Sequence, residues 1–149
     1  MNAFVAAGAG FLVAVLWFDL MFDVQVAPHR EGVLPEAVLA SIAAYYARVT
    51  TAAHPMNRLV AGVMLGTLAA IVVEIVNGHP ARWVGLVSLA LAAPAVVLAA
   101  ARIVPGAVEL GTRRKTADGQ SALARSIFRG HVFCVLAMAG VLVVQLGFG

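Results

Sequence analysis

The stretch AFVAAGAGFLVAVLWFDLMFDVQV, Ala3 to Val26, decides the fold, because it carries no charge until Asp19. An α-helix of about 20 apolar residues crosses a hydrocarbon core roughly 30 Å thick. Backbone amides inside lipid have no water to bond, so such a stretch satisfies them within a helix. The apolar run exceeds an ordinary signal-peptide h-region and no Lys or Arg precedes it, so it reads as a retained helix.

Working outward from this stretch, three more spans follow at about 56–76, 83–104 and 127–148. The second stops at Asn77-Gly78-His79-Pro80, a turn by composition. The third contains Pro94 and is closed by Pro105-Gly106. The 149 residues make one domain, 62% hydrophobic and 11% charged, far below the quarter or so charged in ordinary soluble domains. Between the first two spans, residues 35–53 place Val38, Ile42, Tyr45 and Val49 on one helix face. Pro35 suits that helix's first turn, and Pro55 breaks it before the second span. The expected architecture is all-α: an integral membrane four-helix up-down-up-down bundle with an amphipathic interfacial helix, Tyr45 and Tyr46 lying at headgroup level. The fourth helix is expected to start near Asp118 or Ser121, both competent N-caps.

The basic residues set the topology. Arg30, Arg48 and Arg58 flank the first connection, and Arg102, Arg113, Arg114, Lys115, Arg125 and Arg129 the third, against Arg82 alone on the other side. By the positive-inside rule connections one and three are cytoplasmic and both termini lie outside, here in a multi-pass protein of the cell membrane. The net charge of +3 thus reports topology and not a nucleic-acid partner. Cys134 is the single cysteine, so no intramolecular disulfide or Cys-x-x-Cys site exists.

The remaining polar residues converge. Asp19 and Asp23 are i, i+4 and share a helix face, with Asp19 about one turn, roughly 6 Å, deeper. A carboxylate within a span faces the bundle interior or a cavity. The second span opens with His54, Asn57 and Arg58, and His54, Arg58, Gly62 and Gly66 repeat every four residues. Gly62-x-x-x-Gly66 allows close helix contact. The fourth opens with Arg125, Arg129 and His131. Alternating helix direction gathers all of these in the cytoplasmic leaflet. On the other side, Glu74 and Arg82 are spaced to pair across the second turn.

Such a cluster supports three chemistries. Asp19, Asp23, His54 and His131 form an imidazole–carboxylate set for a non-haem metal. His54 and His131 on two helices are placed to ligate a b-type haem. Without a metal, Asp19 or Asp23 would accept a proton from a lipophilic substrate while Arg58 or His131 stabilises the anion, with Asn57, Arg125 and Arg129 binding the substrate. Against these stands a structural alternative, an ion-pair cluster that fastens the helices together.

The layout also resembles the anthrone-oxygenase-like family of small four-helix membrane proteins. The shared features are an amphipathic segment before the second span, the Pro55-Met56-Asn57 start of that span, and the Arg125, Arg129, His131 start of the last helix. The resemblance implies a redox enzyme or oxygenase acting on phenolic or other lipophilic substrates. The alternative is a non-enzymatic subunit or assembly factor of a larger membrane complex. A third reading, an oligomeric transporter protomer, requires several copies to build a path.

Overall fold

The computed structural model describes residues 2–78 and 82–149, with the His54 side chain outside that description; His79 and Pro80 of the expected turn also lie outside it. Four helices are long and apolar enough to cross a membrane: Asn2–Val26, Pro55–Asn77, Arg82–Thr112 and Ala117–Phe148. The first comprises α1 (Asn2–Asp23) and a 3₁₀ turn, Val24–Val26. The helix α2 (Glu36–Tyr46) runs into a π-helical segment, Ala47–Ala52, and α3 (His54–Asn77) follows. The third span joins α4 (Arg82–Leu98) to α5 (Val104–Thr112) through a π-helical turn, Ala99–Ile103, and α6 (Ala117–Phe148) ends the chain.

The helices form a ring in which α6 packs on α1 and α4, and α3 packs on the same two from the other side. Sequence neighbours are therefore spatial neighbours, as an up-down-up-down bundle requires. Large side chains such as Phe4, Leu65 and Leu136 point outward, each at least two-thirds exposed. An apolar outer surface this extensive fits lipid, not water. Small residues let the backbones approach: a Cβ on Gly8 of α1 would collide with Thr67 Oγ1 of α3.

Three local features depart from the expectation. Pro105-Gly106 does not close the third span. Proline lacks an N–H and crowds the preceding turn, and the π turn absorbs this by re-routing hydrogen bonds, Val104 N–H reaching Ala99 O. The helix then continues to Thr112. In α2 the buried residues are Leu39, Ile42, Ala43 and Tyr46, one position round from the expected stripe, while Val38, Tyr45 and Val49 are half-buried. The N-cap of α6 is Thr116, whose side chain accepts from Gly119 N–H. Ser121 instead uses its Oγ to accept Leu34 N–H at 2.9 Å.

At the basic end of the bundle α2 and its π-helical extension pack on α5. Gly111 makes this contact possible, since a Cβ there would lie 2.9 Å from Ala47 N. That packing presents α2 to the ends of α1 and α6, and so builds the polar cluster.

Candidate functional site

Asp19 and Asp23 extend from the last turns of α1, and His131 faces them from α6. Asp23 is 1% exposed, and its Oδ2 lies 2.6 Å from His131 Nδ1. Its Oδ1 accepts the Tyr46 hydroxyl at 2.7 Å, and that hydroxyl oxygen is also 3.4 Å from His131 Nδ1. Asp19 Oδ1 accepts the Tyr45 hydroxyl at 2.7 Å, and Asp19 Oδ2 stands 3.7 Å from His131 Nε2. One imidazole thus sits between two carboxylates, and each carboxylate has its own phenol.

Adjacent residues on a helix diverge by about 100°. Two consecutive tyrosines can therefore reach two acids one turn apart when α2 crosses the end of α1. Phe22 stacks on Tyr45 with ring centroids 4.0 Å apart. Burial, and after it the neighbouring carboxylates, hold both phenols well above the ordinary tyrosine range, so they remain donors. Both Asp23 oxygens are engaged, which is what a buried carboxylate needs. Tyr45 and Tyr46, expected at headgroup level, are members of this cluster. The available signal was the acceptor-rich pair of acids one turn apart, facing a segment with two hydroxyl donors.

The other candidate residues are placed differently. Asn57 donates to Thr50 O at 2.6 Å and ties α3 to the π-helical segment before it. Arg58 is exposed and makes no hydrogen bond or ion pair among the described residues. Arg125 donates to His29 O at 3.0 Å and to Gly32 O at 2.6 Å, pinning the first connection. Arg129 is exposed and donates to Arg125 O at 3.3 Å. The His54–His131 pairing that a haem would need involves a side chain outside the described residues. Among the described residues no group of three or more His, Cys, Asp or Glu has a metal-holding arrangement.

Glu74 does not pair with Arg82. It is 1% exposed, and both its oxygens accept from Gln145 Nε2 at 3.3 Å, while Ser88 Oγ accepts from the same nitrogen at 3.0 Å. Gln145 is uncharged, so the charge pattern of the sequence carries no signal for this partner. Among the described residues Gly62 and Gly66 pack on no other helix, because a Cβ on either would meet nothing within 4 Å. Gly66 instead lines a groove of about 590 Å³ between α1 and α3, with Phe4, Ala7, Phe11, Val63 and Ala70.

The model of a family described as SHR3 chaperone, "ER membrane protein SH3", matches residues 1–148. No curated protein and no solved structure matches the chain. The family match overturns the resemblance to anthrone oxygenases. That resemblance rested on the four-helix layout with its amphipathic segment, the short Pro55-Met56-Asn57 motif and the Arg125, Arg129, His131 start of the last helix. The same match corrects the localisation: the family is one of the ER membrane, not the cell membrane. The Lys/Arg count reports which side of a bilayer a connection faces; it does not distinguish one membrane from another. The multi-pass character stands, and the chain belongs to the SHR3 chaperone family of ER membrane proteins.

Proposed function

We propose that this chain is a non-enzymatic assembly factor that shelters a transmembrane helix of another integral membrane protein in the ER membrane. Connections one and three, which carry the basic residues, face the cytosol. The observation that carries this reading is the groove between α1 and α3. Its lining combines small residues, Ala7, Gly8, Gly66 and Ala70, with the aromatic Phe4 and Phe11. Helices associate in lipid by close backbone packing at such small residues. The outward Gly62-x-x-x-Gly66 face, unused inside the chain, extends that surface. The family's description as a chaperone supplies the class of occupant. The Asp–Tyr–His cluster is then the fastener that holds α1, α2 and α6 together, toward the opposite end of α1 from the groove. The oxygenase activity that the anthrone-oxygenase resemblance implied falls with that resemblance.

The test is site-specific photocrosslinking in ER membranes from a benzophenone placed at Val63, in the groove, or at Leu136, on the outer face of α6. The reading expects a discrete integral membrane protein captured from Val63 and not from Leu136. Gly66→Leu should abolish capture while Cys134 stays protected from thiol reagents. Capture only of a second copy of this chain, equal capture from Leu136, or indifference to Gly66→Leu would each refute it.

A further inference from the structure

A pocket of about 340 Å³ opens where the first span ends beside α6, and Arg30, Arg125 and Arg129 all line it. Its apolar wall comes from Val26, the last residue of the first span, and from Phe128 of α6. None of the three arginines makes an ion pair among the described residues. Three like charges on one lining repel one another, and no carboxylate lines the pocket to offset them. The backbone around them is fixed. His29 N–H reaches Val26 O at 3.0 Å, and Arg125 Nε and Nη2 hold His29 O and Gly32 O. Arg129 Nε donates to Arg125 O at 3.3 Å. Among the described residues this leaves unbonded Arg125 Nη1, both terminal nitrogens of Arg129 and the exposed Arg30 guanidinium.

Guanidinium forks with free N–H groups recognise phosphate, whose oxygens they meet in pairs. The depth of the pocket narrows the source. Val26 closes one span and Phe128 lies within another, so the arginines stand where hydrocarbon gives way to headgroups. Toward the membrane the outer surface is apolar, with Met21 and Phe22 of α1 and Phe133 of α6 exposed, and acyl chains can lie on it. Basic pockets between spans on the cytoplasmic side are sites for lipid phosphates. A phosphomonoester presents three terminal oxygens, one more than the diester of a zwitterionic lipid, and so suits three guanidinium groups better. We infer that this pocket binds an anionic phospholipid through a phosphomonoester headgroup, phosphatidic acid being the simplest. The phosphate lies among Arg30, Arg125 and Arg129, and the glycerol lies against Val26 and Phe128. A lone arginine near a span end snorkels to any headgroup; three on one lining make a saturable, position-specific site. It is separate from the helix-binding groove and does not depend on that role.

The experiment uses the full chain in phosphatidylcholine nanodiscs and a phosphatidic acid whose acyl chain bears a diazirine close to the glycerol. Saturable adducts are expected at Val26 or Phe128 and their immediate neighbours. Unlabelled phosphatidic acid should displace the label at least about tenfold better than added phosphatidylcholine, the ratio expected for hydrogen bonds between charged groups. Arg30→Gln and Arg129→Gln should each weaken binding by a similar factor, with Cys134 still protected from thiol reagents. Arg58→Gln removes an exposed arginine of α3 that does not line the pocket. It should change binding by less than about twofold, because a screened surface charge contributes little. A loss in Arg58→Gln equal to that in Arg30→Gln would reduce the effect to diffuse surface charge and overturn the inference. Phosphatidylcholine competing as well as phosphatidic acid, or non-saturable labelling, would overturn it too. Displacement by millimolar inorganic phosphate would make the occupant a soluble anion and also refute the lipid site.

Discussion

Removing one hydroxyl tests whether the polar cluster holds the bundle together. Tyr46→Phe deletes the donor to Asp23 Oδ1, a contact of 2.7 Å to a carboxylate 1% exposed. No water can replace it at that burial, so the oxygen is left unpaired beside His131. Hydrogen bonds to charged groups contribute about 1.5–3 kcal/mol, and we expect a loss of about 2 kcal/mol. Tyr45→Phe removes a contact of equal length to Asp19, but that side chain is 16% exposed and borders a cavity inside the bundle. Asp19 can rehydrate, and the loss should be about 1 kcal/mol. For a chain of this size 1 kcal/mol shifts the thermal midpoint by about 2–4 °C. The expected drops are therefore about 4–8 °C for Tyr46→Phe and about 2–4 °C for Tyr45→Phe. Cys134 is the only cysteine and is buried, so a thiol-reactive fluorophore reads unfolding directly in detergent. Adding Asp23→Asn to Tyr46→Phe should cost less than the sum of the two single changes, since both act on one contact. Equal midpoints for the two phenylalanine variants, or strict additivity in the cycle, would refute the assignment of Tyr46–Asp23 as the principal fastener.

Tyr45 and Tyr46 are the chain's two tyrosines, so tyrosinate absorbance reads them alone. The folded protein should show no rise at pH 10–11, where the unfolded chain titrates. The folded form then holds protons that the unfolded form has lost. The stability due to the phenols is thus full below about pH 10 and declines above it, which denaturation midpoints across that range will check. Gly111→Leu should force α5 away from Ala47 and cost about 1–3 kcal/mol, measured by the same thiol assay. Arg125→Gln removes the anchors on His29 O and Gly32 O. It should raise limited proteolysis between residues 27 and 35 several-fold, roughly as expected when a loop loses a few hydrogen bonds, with little change in the spans.

Much of the site was legible through topology. Asp19 and Asp23 had to face inward because lipid does not tolerate them, and antiparallel helices put His131 at their level. Their meeting at 2.6 and 3.7 Å depended on rotations of α1 and α6 that the pattern left open. The part played by α2 was less legible. Its apolar stripe admitted either of two neighbouring rotations, and the contact with α5 through Gly111 selected the one that buries Tyr46. Arginines are harder still to place from sequence. Arg125 and Arg129 read as substrate binders, yet their nitrogens bond backbone carbonyls, and nothing in residue type separates those uses.

Taken alone, the sequence determined the four spans, the basic end of the bundle and the inward set of the aspartates. Each follows from the cost of placing charge or bare backbone in hydrocarbon, which depends on composition along the chain. Tertiary structure alone decided that two tyrosines hold the two acids, that Gln145 and not Arg82 serves Glu74, and that the Gly62–Gly66 face stays open. Those outcomes depend on helix rotation, on the π turn that carries the third span through Pro105, and on backbone approaches of a few ångströms. They are set by how side chains interlock across helices, so no single segment of the sequence contains them.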